Sequence, residues 1–378
     1  MAGKQLSYDY QNSIRDLSDA FMQVIQTSPV LSTMIRVEGV AKNTKHEWLE
    51  DVVSQVERTI DSDYTIADGT IVLASNTGIK VDDILEFELT TGAMGTLQAK
   101  VTNIPAGWTD VDISVYGGST DEDMLTGSKV FLLSRPKNEA TVADPDAGYE
   151  PTVEYNYTQI FDRTAKVSLT SLEVPKYGIG GALNYQVERQ LKDIAYEMNR
   201  AMLRSPRVLR AVGENGTMGG IMRFLQAATG NAVDGLGAGI DQTMINNAVE
   251  IGNGNGATNM TTLLCNPVQA RKISAFNVSW NNPVIQRADT TTGSYVTTFV
   301  SDQGTVMTIV ADRNFDKDKV ALLDMSKIAL VPLQNRAFQD KDATLPGADY
   351  VARRIIGEYT LQVKNAADSH AYIHSLDV

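Results

Sequence analysis

The stretch VPKYGIGGALNYQVERQLKDIAYEMNRAML, from Val174 to Leu203, constrains the fold more than any other. Leu183, Val187, Leu191, Ile194, Met198 and Met202 recur at steps of four and three, the spacing that lines one face of an α-helix. Glu188 stands four residues before Lys192, a favourable pair on the outer face. Pro206 stops the helix, because proline cannot donate the next backbone hydrogen bond. A glycine-rich turn leads in from a strand-like run, which is the layout of a phosphate cradle.

The turn fails both nucleotide templates. A dinucleotide fingerprint needs glycine at its first, third and sixth positions. Gly178 and Gly180 satisfy two of these, but the sixth position is Leu183. A phosphate loop needs Lys-Ser/Thr after its last glycine, whereas Lys176 precedes the turn and Ala182 follows Gly181. The glycines are therefore expected to let a long strand reverse into a helix through backbone angles closed to other residues.

The remaining chemistry-bearing motifs also fall short. HEWLE, from His46 to Glu50, begins like a zinc-protease motif, but Glu50 stands where the second histidine belongs. A strand or arm in which Trp48 packs is the expectation. His370 and His374 lie on a run that reads as a strand, where they are too far apart for one ion. DSDYTIADG and DPDAG alternate aspartates without the glycine and distal glutamate of a calcium loop. Cys265 is the only cysteine, so no intrachain disulfide can form, and its place in LLCNPV predicts a small buried hydrophobe. No nucleophile elbow or Cys–His pair is present. No enzymatic activity, cofactor or metal is expected.

Composition bounds the partners. Hydrophobic residues make up 43% and charged residues 21% of 378 residues, a globular balance with room for two or three domains. The net charge of −13 argues against a dedicated nucleic-acid-binding surface. The first residues lack the apolar core of a signal peptide, and no apolar run approaches the ~18 residues that span a bilayer. A reducing, cytoplasm-like compartment and no membrane partner are expected.

Along the chain, Ile14, Leu17, Phe21, Val24 and Ile25 follow helical spacing before Pro29. From about Tyr64 to Ser134 the texture changes to short β-rich runs separated by glycine turns, which predicts an inserted small barrel or sandwich. An extended run follows, with Ala165, Val167, Leu169 and Ser171 on one side and Lys166, Ser168 and Thr170 on the other. After the long helix, GTMGGIMRFL is a glycine-bearing loop entering a helix, and IDQTMINNAVEIG is a further helix. The remaining strands interleave with helices, and RRIIGEYTLQVKNAADSHAYIHSL reads as paired closing strands. The class is α+β.

The order of these pieces resembles tailed-bacteriophage major capsid proteins of the Hong Kong 97-like fold. The most specific match pairs Asn156, Thr158, Gln159, Ile160 and Phe161 with Tyr177 and Gly178, and then with Tyr185 and Gln186. HEWLED at 46–51, GTMGGIMRFL at 216–225 and the run 357–376 also resemble family segments. GIGG departs from the more polar residues expected after the Tyr-Gly, which leaves the length of the turn open.

The resemblance implies an N-terminal arm over 1–44 that reaches along a neighbouring subunit. It implies an extended loop over 45–174 with an insertion at 63–149, then a spine helix and peripheral domain over 175–234. An axial domain over 235–340 and return strands of the peripheral domain over 341–378 complete it. As structural or intersubunit positions it implies Trp48, Glu50, Phe161, Arg163, Lys166, Tyr177, Gly178, Gly180 and Gly181. The implied function is self-assembly, through hexamers and pentamers, into an icosahedral head around double-stranded DNA. Portal and scaffolding proteins and a decoration protein are implied partners, and the virion, assembled in the host cytoplasm, is the location. Two alternatives are an encapsulin-type nanocompartment shell and a nucleotide-binding enzyme using the Gly178–Gly181 turn.

Overall fold

The computed structural model describes residues 30–378 except 52–56, 65–68, 75, 77, 89–96, 106–108, 118–122, 138, 140–150, 175–180, 229, 258 and 280–295. The helix expected at 14–25 lies outside the described residues, as do Tyr177, Gly178 and Gly180. The chain enters along its own body. α1 (Val30–Met34) buries Leu31, and β1 (Arg36–Val37) runs parallel to a later strand before β2 (Lys45–Glu50) leaves the body.

The insertion comprises β3 (Glu57–Thr59), β4 (Thr70–Val72), β5 (Ile84–Phe87), β6 (Leu97–Asn103), β7 (Asp110–Val115) and β8 (Lys129–Ser134). These strands pair antiparallel in the order β3-β8-β5-β6-β7-β4. The two outer strands then meet. Ile60 bridges Leu73, Asp61 N donates to Val72 O at 2.9 Å and Ala74 N to Thr59 O at 3.0 Å. The sheet therefore closes into a barrel, which satisfies edges that a sandwich would leave open. Alternate residues point inward, so Leu97, Ala99, Val101, Phe87 and Val111 are wholly buried in a core of their own.

β9 (Thr152–Tyr157) returns antiparallel to β2 and passes into β10 (Gln159–Ser168). The alternation expected to run on through Ser171 stops at Ser168. The Ser168 hydroxyl accepts from Ser171 N at 3.2 Å and caps α2 (Leu169–Glu173), so the strand becomes a helical turn. α3 (Ala182–Arg204) follows and lies over β10, with α4 (Ile221–Ala227) packed on its C-terminal half.

The rest of the chain is β11 (Ala232–Asp234), α5 (Gln242–Gly254), β12 (Thr262–Cys265), α6 (Pro267–Ser279), β13 (Thr298–Val300), β14 (Val306–Ala311), β15 (Val320–Leu323), β16 (Ile328–Pro332), β17 (Gln339–Asp342), β18 (Tyr350–Val363) and β19 (Ala371–His374). Two sheets organise it. One runs β1-β16-β18-β10, with β17 also on β18, and the other runs β11-β19-β15-β12-β14-β13.

β18 and β19, expected to pair, lie in different sheets: β18 joins β10 and β16, whereas β19 joins β11 and β15. Seven residues separate them, enough to cross from one layer to the next, and fully buried His370 sits at the crossing. By the same pairing β16 belongs with the β10 sheet and not with the 235–340 segment, and residues 371–374 belong with that segment's sheet.

β12 and β15 are buried along their whole length, as strands covered on both faces must be. Their alternate residues feed two different cores. Leu263, Cys265, Val320 and Leu322 meet Ile245, Val249 and Ile273 of α5 and α6. Leu264, Ala321 and Leu323 join Phe161, Met202, Leu203 and Leu361 under α3. The central sheet is thus the shared wall between two packed layers.

Candidate functional site

The hairpin of β2 and β9 carries the barrel, and its root is where the extended part of the molecule meets the body. Period-2 alternation puts His46, Trp48 and Glu50 on the face toward the body and Leu49 on the other. Trp48 is buried against Phe224 of α4, with ring centroids 6.0 Å apart. Its Nε1 donates to Glu50 Oε1 at 2.7 Å. The same oxygen accepts from Asn365 N at 2.8 Å, and Asn365 Nδ2 donates to Asp51 O at 2.9 Å. Trp48 and Glu50 therefore act together, tying β2 to the crossing after β18. Burial and then the Glu50 carboxylate push the Asp368 carboxyl up. Burial and the Lys364 ammonium push the His46 imidazole down.

A buried side chain on β9 completes the root. Asn156 is wholly buried, and its Nδ2 donates to Gly219 O at 3.0 Å and to Leu361 O at 2.7 Å. Its Oδ1 accepts from Gly219 N at 2.7 Å and Tyr157 N at 2.9 Å. Every polar capacity of the amide is met, as burial demands. Backbone closeness explains the glycines of GTMGG. A Cβ at Gly220 would come within 2.6 Å of Arg204 N and 2.8 Å of Ala201 O.

Next along the chain, Thr158 Oγ1 donates to Glu358 Oε1 at 2.7 Å. Glu358, buried in β18, also pairs with Arg210 at 3.1 Å and Arg336 at 2.8 Å. Arg207 lies 4.0 Å from the Tyr155 ring centroid, pairs with Glu154 and donates to Tyr155 O at 2.8 Å. Asn156 and Thr158 were visible in the sequence as part of the family-like run. Arg207, Arg210 and Arg336 were not, and Glu358 lay in the family-like run 357–376 without any mark of its role, because no local pattern marks a charge whose partner lies far along the chain.

The other expected positions disperse. Phe161 sits at the centre of the core beneath α3, fully buried. Arg163 faces outward and pairs with Glu197 of α3 at 2.7 Å. Lys166 places its ammonium 5.2 Å from the Tyr350 ring centroid and lines a cavity of about 200 Å³ with Ser168, Ser171, Tyr185 and Gln186. Gly181 corrects the hinge expectation at its own position. Its φ of 172° is ordinary extended backbone, and a Cβ there would meet nothing nearer than Asn184 at 3.9 Å. β10 ends at the Ser168 cap and α2, and the part of the expectation that falls on Gly178 and Gly180 lies outside the described residues.

Among the described residues no group of three His, Cys, Asp or Glu is placed to hold a metal ion, and no helix is long and apolar enough to cross a membrane. Cys265 is buried and desolvation pushes its thiol up to about 12, which leaves it a poor nucleophile. What the site can do is mechanical. It braces an extended stalk, bearing a separately packed barrel, against a two-layered body.

A family model described as SU10 major capsid protein matches residues 3–377. The chain belongs to that family. This capsid protein is thus a shell-forming structural protein of the phage type. No curated protein sequence matches it. Solved structures show the fold. The capsid of a native GTA particle superposes with a TM-score of 0.55 at 10% identity, over 98% of each chain. The cyanophage A-1(L) capsid does so with a TM-score of 0.52 at 12% identity, also over 98% of each chain. The architecture of the capsid protein is accordingly Hong Kong 97-like. Family membership is what decides between the phage reading and the encapsulin one.

Proposed function

We propose that copies of this capsid protein assemble, through hexamers and pentamers, into the icosahedral head of a tailed phage that encloses double-stranded DNA. Its role there is structural and non-catalytic. The observation that carries this reading is the braced stalk. A two-stranded ribbon is marginal alone, yet here its root is locked by Trp48, Glu50 and Asn156 while Leu49 and Val153 on its outer face stand 67% and 58% exposed. A subunit that holds an extended, half-apolar limb in place has built contact area for neighbours.

In this reading the stalk and barrel are the extended loop and its insertion, α3 is the spine, and the β12-centred sheet is the axial domain. Portal and scaffolding proteins and a decoration protein are the proposed partners, and the host cytoplasm is the proposed place of assembly. Packaged DNA is touched without sequence preference, consistent with a net charge of −13.

Expression of the chain alone and with its phage partners, followed by size exclusion and negative-stain microscopy, tests the proposal. Closed shells or capsomer rings are the expected result. A small monodisperse species that binds ATP or NAD would overturn it.

A further inference from the structure

Asparagine is followed by glycine at three places: Asn215–Gly216, Asn253–Gly254 and Asn255–Gly256. In such a pair the next peptide nitrogen can reach the side-chain amide carbon and close a five-membered ring, an intramolecular attack. Glycine has no Cβ, so nothing shields that nitrogen. Closure needs a loose side chain, an unengaged N–H and access to water, so the fold decides which pair reacts.

Two of the pairs are held. Asn253 and Gly254 end α5, whose backbone N–H groups are used within the helix, and Asn253 Nδ2 donates to Gln303 Oε1. Asn255 Nδ2 donates to Gly230 O at 3.1 Å, and Gly256 N donates to Asn253 O at 3.1 Å.

Asn215 and Gly216 lie in the hairpin that follows α3. Val208 and Thr217 exchange both backbone hydrogen bonds at 3.1 Å, and Ala211 and Glu214 exchange theirs at 3.4 and 3.1 Å. In a regular antiparallel ladder such pairs recur every second residue. Here they stand three residues apart, so the ladder is broken at Asn215 and Gly216. Asn215 is exposed, and among the described residues neither its side chain nor Gly216 N has a hydrogen-bond partner. The facing strand leaves no slack. A Cβ at Gly216 would come within 2.7 Å of Arg210 Cβ and 3.0 Å of Arg210 N. Arg210 in turn donates to Thr158 O at 3.3 Å and pairs with Glu358 at 3.1 Å. Any lengthening of the backbone between 215 and 216 therefore presses on a residue that braces the stalk root.

We propose that Asn215 is a self-modifying site, converting without an enzyme to aspartate and isoaspartate and loosening the stalk root as the protein ages. Gly216 N gives its proton to hydroxide and bonds to Asn215 Cγ, and the Cγ–Nδ2 bond breaks to release ammonia. Water then opens the cyclic imide at one of its two carbonyls. Opening at Cγ yields aspartate in an unchanged backbone. Opening at the backbone carbonyl leaves the chain running through Cγ, one carbon longer, as isoaspartate. The net change is amide plus water to carboxylate plus ammonium, and both products add a negative charge beside Glu214. This inference is independent of how the subunit assembles.

Full-length protein aged in warm, mildly alkaline buffer and mapped by peptide mass spectrometry tests the site. Residue 215 is expected to deamidate at least about tenfold faster than 253 or 255, the ratio given by a barrier difference of ~1.4 kcal/mol. Asn215→Gln, whose longer side chain would have to close a six-membered ring, is aged alongside as the control. Against that control, the aged native chain is expected to lose hydrogen-exchange protection in residues 208–219 and in β9. Equal rates at the three sites, or a modified Asn215 with that protection unchanged, would overturn the proposal.

Discussion

Asn156 holds Gly219 from both ends of its peptide edge, accepting from Gly219 N at 2.7 Å and donating to Gly219 O at 3.0 Å. A buried side-chain amide here imitates a neighbouring strand and joins the stalk to the loop after α3 across 63 residues of sequence. Asn156→Ala would strand the Gly219 amide and the Leu361 carbonyl in the interior, at about 1–3 kcal/mol for each unsatisfied group. A loss of about 2–4 kcal/mol in chemical denaturation is expected, and a change below about 1 kcal/mol would remove Asn156 from the joint.

Two glycines should part company. At Gly220 a Cβ would meet backbone atoms at 2.6–2.8 Å, and these cannot rotate away. Gly220→Ala is expected to cost about 1–3 kcal/mol or more, as overpacking does. Gly181→Ala, in extended backbone with open space, is expected to stay within about 0.5 kcal/mol of the native chain. Thermal melts of the two variants side by side check the contrast.

Glu358 is the shared carboxylate for Arg210 and Arg336, and it is buried while they stay partly exposed. Glu358→Gln keeps the shape and removes the charge, leaving two guanidinium groups without their counter-ion. Breaking a buried pair costs about 3–5 kcal/mol when both partners are enclosed. Exposure of the arginines brings the expectation down to about 1–3 kcal/mol. Arg336→Ala alone should cost less than Glu358→Gln, and a double-mutant cycle measures the coupling.

Acidification should weaken the crossing between the two sheets. His370 is fully buried, and desolvation lowers its pKa from 6.5 to about 4. The nearby Asp324 carboxylate opposes that shift and Lys327 adds to it. Between these values the unfolded chain binds the proton more readily than the folded one. Stability is therefore full above about pH 6.5 and falls as pH drops toward 4, by up to about 1.4 kcal/mol per unit. His370→Asn, able to accept the Asp324 N–H, should flatten the dependence of Tm on pH over that range. An unchanged slope would show that other groups carry it.

The barrel has its own lock. Asp83, buried, accepts from Arg135 Nε at 2.6 Å, from Arg135 Nη2 at 2.9 Å and from Lys80 N at 2.8 Å. Asp83→Ala should raise hydrogen exchange in β5, β6 and β8 while leaving α3 and the central sheet protected, since the barrel core is separate from theirs. Equal deprotection of α3 would show that the barrel and the body unfold as one unit.

The sequence by itself determined the elements whose signal is periodic and local. The stripe of α3, the short strands of the insertion, the packing of Trp48 and the buried place of Cys265 all follow from spacing over fewer than about thirty residues. So does the run from Asn156 to Phe161, which carried the family likeness before any contact was known. Tertiary structure alone decided which edges meet. The closure of Ile60 on Leu73 made a barrel of what could have been a sandwich, and β18 and β19 went to separate sheets although they are neighbours in sequence. It also decided that Asn156 carries hydrogen bonds of the joint, and that Gly181 needs no glycine. The physical reason is common to all of these. A hydrogen bond or ion pair between residues 148 to 205 positions apart leaves no period in the chain, and only packing brings its two halves together.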